Sequence, residues 1–136
     1  MIKPTILLLD DDKKLTDIFV DFLFKNFNAD VILKEHAKGA IEVLDQQRVD
    51  VLFQDIHLPS GPNGLEVVRH VNKIGKAKDI LIYIISKWDK NESYEMQLLD
   101  LDVKYMPKPI SFLTIKSLLE KAFESKGGFD YKKVKA

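Results

Sequence analysis

The chain contains no cysteine, which excludes disulfide frameworks, thiolate nucleophiles and cysteine-based zinc sites. No excess charge of either sign is present: Lys+Arg and Asp+Glu stand at 21 each, so neither nucleic acid nor an anionic membrane is implied as a partner. The longest unbroken apolar run, Ile80–Ile85, is too short to span a bilayer. The opening "MIKPTILLLDDD" lacks a signal-peptide layout, because acids close its apolar run and no small-residue cleavage site follows. A cytoplasmic protein is expected. The three histidines, His36, His57 and His70, share no metal-ligand spacing, which argues against a histidine metal site.

What is present is a regular alternation. With 46% apolar and 31% charged residues over 136 positions, the chain has the profile of one globular domain. Short apolar runs over 5–9, 29–34, 49–54, 79–86 and 103–106 read as strands. Several are apolar without alternation, as expected for parallel strands covered on both faces. Leu15, Ile18, Phe19, Phe22 and Leu23 recur at spacings of three and four, the pattern of a helix with one buried face. Less regular helical patterns cover 38–47, 64–74, 90–99 and 111–125. The division expected is a domain over 1–126 and a basic, flexible, solvated tail over 127–136, "GGFDYKKVKA".

Five strands alternating with five helices predict an α/β fold, a doubly wound parallel sheet with strand order 2-1-3-4-5. In that order the first and third strands are neighbours, and ligands bind where their carboxyl ends meet. Asp10 and Asp11 end the first strand and Asp55 the third, while Ser86 ends the fourth and Lys108 follows the fifth. All five fall on one rim. Carboxylates this close raise one another's pKa unless a cation joins them. An all-oxygen donor set suits a hard ion, and Mg2+ is the usual one where a phosphate shares the coordination sphere. Lys108 offers a point charge for phosphate and Ser86 a hydroxyl, which together make a phosphoryl-transfer site. Asp12 reads instead as the N-cap of the following helix.

The segments "ILLLDDD", "DVLFQDIHLPSGPNGLEVV", "LIYIISKW" and "KYMPKPI", in this order and spacing, resemble the receiver domain of two-component response regulators. The resemblance implies a domain that is not an enzyme but a phospho-acceptor assisting its own phosphorylation and dephosphorylation. Asp55 would accept the phosphoryl group. Asp10, Asp11, Asp55 and the backbone carbonyl of His57 would hold Mg2+. Ser86 matches the switch hydroxyl, Lys108 the phosphate-binding lysine in a cis Lys108-Pro109 unit, and Tyr105 the aromatic switch. His57, Lys87 and Trp88 fall where the family tunes the lifetime of its phosphate. Lys87 departs from the small residue usual after the switch hydroxyl.

Partners implied by the resemblance are a histidine kinase or histidine phosphotransfer protein upstream, and a downstream protein target or a second copy in a homodimer. The contact face would combine the helix over 90–99, the fifth strand and the final helix, with Tyr94, Met96, Tyr105 and Phe112 near it. About ten residues after the last helix leave no room for a DNA-binding output unit, so a stand-alone receiver is expected. Three other readings compete. A flavin-binding module would want a Ser/Thr/Gly-rich first loop in place of "DDDKK". An aspartate-dependent phosphatase fits the spacing of Asp10 and Asp12 but lacks a cap insertion. The third is a receiver-like scaffold without phosphorylation.

Overall fold

The computed structural model describes residues 1–55, 64–86 and 103–133, with Gly64, Leu65 and Ser86 described by their backbone alone. Within them the chain runs β1 (Thr5–Leu9), α1 (Lys13–Asn26), β2 (Asp30–Lys34), α2 (Ala37–Gln46), β3 (Val51–Asp55), α3 (Gly64–Lys73), β4 (Leu81–Ser86), β5 (Lys104–Pro107) and α4 (Phe112–Lys126). The strands form one parallel sheet in the order β2-β1-β3-β4-β5, as expected. The expected helix over 90–99 lies outside the described residues, as do His57, Lys87, Trp88, Tyr94 and Met96.

Alternation along β1 explains why its sequence is apolar throughout. Ile6 and Leu8 face α1 and α4, packing with Phe19, Leu23, Phe53, Ile115 and Leu119. Leu7 and Leu9 face α2 and α3, packing with Leu44, Leu52, Val67, Val71 and Ile84. Both faces of the strand are therefore core, and each large side chain so buried contributes about 1.5–3 kcal/mol.

Asp12 starts α1 as expected, its side chain accepting a hydrogen bond from the Leu15 amide at 3.2 Å. The buried face of α1 differs from the apolar pattern. Phe19 and Leu23 point inward, but Ile18 is 57% exposed and Thr16 is buried in its place. The Thr16 hydroxyl donates within its own helix, to the carbonyls of Asp12 at 3.1 Å and Lys13 at 3.0 Å. Its polar group is thus satisfied locally and its methyl can be buried.

The expectation of a solvated tail fails for residues 127–133. Gly127 ends α4 at φ 72°, a left-handed conformation that glycine adopts without strain. The chain then returns along the amino ends of the strands. The Ile2 amide donates to the Gly128 carbonyl at 2.8 Å, and the Asp130 amide to the Ile2 carbonyl at 2.7 Å. The Asn28 amide donates to the Tyr131 carbonyl at 2.8 Å. Phe129 and Tyr131 both lie 5.3 Å from the buried ring of Phe123. Their aromatic surface outweighs the lysines around them, so the segment docks.

Candidate functional site at the carboxyl rim

The parallel register delivers the acidic residues to one place. Leu9 pairs with Gln54 and Asp55 with Ile85, so β1, β3 and β4 end level with one another. The Asp10 amide donates to the Lys34 carbonyl at 3.1 Å, extending the β1–β2 ladder by one residue and carrying Asp10 just beyond the sheet. Asp10 and Asp55 are buried, whereas Asp11 is exposed. Carboxylate oxygens of the three lie within 4.8 Å of one another, the only such acidic or histidine group among the described residues.

Lys108 meets them from the fifth strand. Its Nζ lies 3.0 Å from Asp55 Oδ2 and 3.5 Å from Asp10 Oδ2, with all three side chains at or below 10% exposure. The Lys108-Pro109 peptide bond is cis. Asp10 Oδ1 also accepts the Asp12 amide at 2.9 Å, which fixes the carboxylate from its other side.

Burial is the largest influence on the Asp10 carboxyl and raises its pKa. The Asp12 amide and Lys108 act the other way without overcoming it, and Asp55 and Asp11 add to the rise. Burial pulls the Lys108 ammonium down, yet the hydrogen bond to Asp55 and the charges of Asp10 and Asp55 prevail, leaving it above its ordinary value. The rim thus holds one well-anchored cation among three acids. Its all-oxygen donor set and short spacing fit a hard divalent ion such as Mg2+.

Ser86 ends β4 opposite Pro107, so its backbone lies on the same rim, and its side chain is outside the described residues. Tyr105 is 42% exposed on β5 and opposite in face to the buried Met106. Phe112 turns away from the expected contact face. Its ring stacks on Phe22 at 4.8 Å and meets Phe19 edge-on at 5.7 Å, because α4 packs against α1. His70 Nε2 lies 2.7 Å from Asp45 Oδ1, a link between α3 and α2 remote from the rim. Sequence reasoning passed over Asp50, which is buried, accepts the Thr5 amide at 2.8 Å and pairs with Arg48 at 3.3 Å. Asp50 stands beyond the amino end of β3, where an unremarkable "VD" gave no signal. No described helix is long and apolar enough to cross a membrane.

Among solved structures the chain resembles the receiver domain of a Francisella response regulator, at TM-score 0.78 and 21% identity over 92% of this chain and all of that one. A response regulator receiver protein from Pseudomonas putida aligns at TM-score 0.78 and 20% identity, over 89% of this chain and 98% of that one. These establish the likeness of fold. Among sequence relatives, an uncharacterized 14.6 kDa protein of Leptolyngbya boryana is 24% identical over 115 residues, 85% of this chain and 86% of that protein. The regulatory protein VanR of Enterococcus faecium is 35% identical over 66 residues, 48% of this chain, and that match spans only 28% of VanR. The sequence model of the response regulator receiver domain matches residues 6–120. With the order of its strands, its three rim carboxylates and the lysine that joins two of them, the chain belongs to the family of response regulator receiver domains.

Proposed function

We propose that this receiver domain takes a phosphoryl group from a phosphohistidine donor onto Asp55 and so switches a protein-contact surface in phosphorelay signalling. The observation that carries the reading is Lys108 poised between Asp55 and Asp10 on a rim of three carboxylates. In the transfer, an Asp55 oxygen attacks phosphorus in line, the new O–P bond forms as the donor's N–P bond breaks, and the electron pair returns to the imidazole nitrogen. Lys108 is positioned to follow one phosphoryl oxygen as charge moves onto Asp55, and the Ser86 hydroxyl is assigned another. Asp10, Asp11, Asp55 and the His57 carbonyl would hold Mg2+, which when bound neutralises charge on the transferring group. The domain acts on itself as acceptor and is not an enzyme toward other substrates.

Switching is assigned to β4 and β5, where Ser86 moves toward the phosphoryl group and Tyr105 takes up the space it leaves. The strand carrying Tyr105 would then, with neighbouring helices, form the face for a downstream protein or a second copy.

The test is incubation with Mg2+ and a small phosphodonor, followed by intact-mass and peptide analysis. A gain of one phosphoryl group on Asp55, lost in Asp55→Asn, is expected. Beryllofluoride should shift the amide of Tyr105 as well as those at the rim. An unmodified wild-type protein, or labelling that persists in Asp55→Asn, overturns the reading.

A further inference from the structure

At the end of the sheet opposite the carboxylates, a cleft of about 580 Å³ opens between the turn before β3, the turn before β4 and the end of α4. Its size lies in the range of small-ligand sites, roughly 300–1,000 Å³. Val49 and Ile80, both nearly fully buried, form the apolar floor, and Phe129 of the docked C-terminal segment supplies one wall. Arg48, Lys76, Lys78 and Lys126 surround it, against Asp50 and Asp79.

Three of the four cations are held in place by main-chain carbonyls, which carry no full charge. Lys126 Nζ donates to the Asp79 carbonyl at 2.8 Å, and Arg48 to the Lys3 carbonyl at 2.8 Å. Lys76 Nζ donates to the carbonyls of Leu44 and, at 3.4 Å, Gln47. Main-chain carbonyls fix these groups and leave further N–H donors on each. Among the described residues only Asp50 answers any of them with a full charge, pairing with Arg48 at 3.3 Å, and it is already engaged with the Thr5 amide. Lys78 is exposed and has no ion-pair partner among the described residues. Cations clustered and anchored in this way repel one another unless an anion joins them.

We propose that this cleft binds a small amphipathic anion, an apolar ring or short chain bearing one phosphate or carboxylate. The apolar body lies on Val49, Ile80 and Phe129, and the head group meets Lys78 and the free donors of Lys126. Because Gly127 and Phe129 line the cleft, occupancy fastens the C-terminal segment to the amino edge of the sheet. The site is separate from Asp55 and does not depend on phosphorylation.

The probe is 1-naphthyl phosphate, titrated into the 15N-labelled Asp55→Asn full chain without Mg2+, with 1-naphthylmethanol as its uncharged counterpart. Saturable amide shifts at Lys78, Asp79, Gly127 and Phe129 are expected, with the alcohol leaving them unmoved. Lys78→Glu, which alters an exposed side chain with no ion-pair partner among the described residues, should weaken binding tenfold or more. Lys126→Gln should weaken it further when added. Carboxylate in place of phosphate, as 1-naphthoate, tells whether the head group must be a dianion; binding by either supports the site. Shifts confined to Lys108 and its neighbours, equal binding of the alcohol, or unchanged affinity in Lys78→Glu each overturn the proposal.

Discussion

Lys108 and Asp55, 53 positions apart in sequence, are joined directly, Nζ to Oδ2 at 3.0 Å. The lysine is therefore already the counter-charge of the rim before any metal or phosphate arrives. Removing it leaves Asp10 and Asp55 facing one another, both largely enclosed. Breaking a fully buried pair costs about 3–5 kcal/mol, and water reaching Asp11 reduces this to roughly 2 kcal/mol here. Lys108→Ala should lower the denaturation midpoint accordingly in chelator. Millimolar Mg2+ should restore more stability to the variant than to wild type, since the ion and the ammonium answer the same charges. Equal stabilisation of both proteins by Mg2+ would separate the lysine from the metal site.

Asp10 gives the rim a pH dependence. Its folded-state pKa is raised, with burial as the leading cause. Below the ordinary aspartate value, about 3.9, it is neutral folded or unfolded and its burial carries no charge penalty. As pH rises from there to the raised value, the unfolded chain releases the proton first, so stability falls. Above that window the penalty is constant. Asp10→Asn should thus be more stable than wild type at pH 7 in chelator, with the gain vanishing toward pH 3. Chemical denaturation at the two pH values measures this, and a gain that persists at pH 3 contradicts it.

The docked C-terminal segment predicts a stability effect far from the rim. Phe123 is 2% exposed and touches Phe27, Phe129 and Tyr131. Phe123→Ala should cost about 3–5 kcal/mol. Ending the chain after Lys126 should lower the thermal midpoint as well, because it strips the partners of Phe123 and the bonds to Ile2. A truncated chain as stable as the full one would show that the segment only rests on the surface.

By resemblance, His57 and Trp88, two residues after Asp55 and Ser86, would flank the path by which water attacks an acyl phosphate on Asp55, with Lys87 beside them. An indole offers an apolar plate and no hydrogen-bond acceptor, so Trp88 would shield there, while an imidazole can orient a water, so His57 would act against it. Slow loss of phosphate is expected, and Trp88→Glu should accelerate it several-fold. Phosphoprotein decay after donor removal reads this directly, and an unchanged or slower decay in the variant removes Trp88 as the shield.

Much of the fold was legible because burial leaves plain traces in a parallel sheet. β1 and β3 read as unbroken apolar runs since each has core on both faces. The rim was legible for the same reason: carboxylates directly after such runs have nowhere else to fall. Counting apolar letters failed where a polar residue satisfied itself. Thr16 is buried because its hydroxyl bonds its own helix, while Ile18, with the better letter, faces solvent. The tail misled through its lysines. Phe129 and Tyr131, two apart, carried the signal of one strand-like face, and composition concealed it. Phe112 could not be assigned from sequence because which side of α4 meets α1 depends on the crossing of the two helices.

The bridge between Ile2 and Phe129 makes near neighbours of positions at the two extremes of the described chain. A pull applied between residues 1 and 133 would first load that clasp and the short segment behind it. The carboxylates stand one strand length away, about 17 Å for the five residues of β1. Whatever is joined to either end would therefore tug on the hem of the sheet, with the carboxylate rim standing at the far edge.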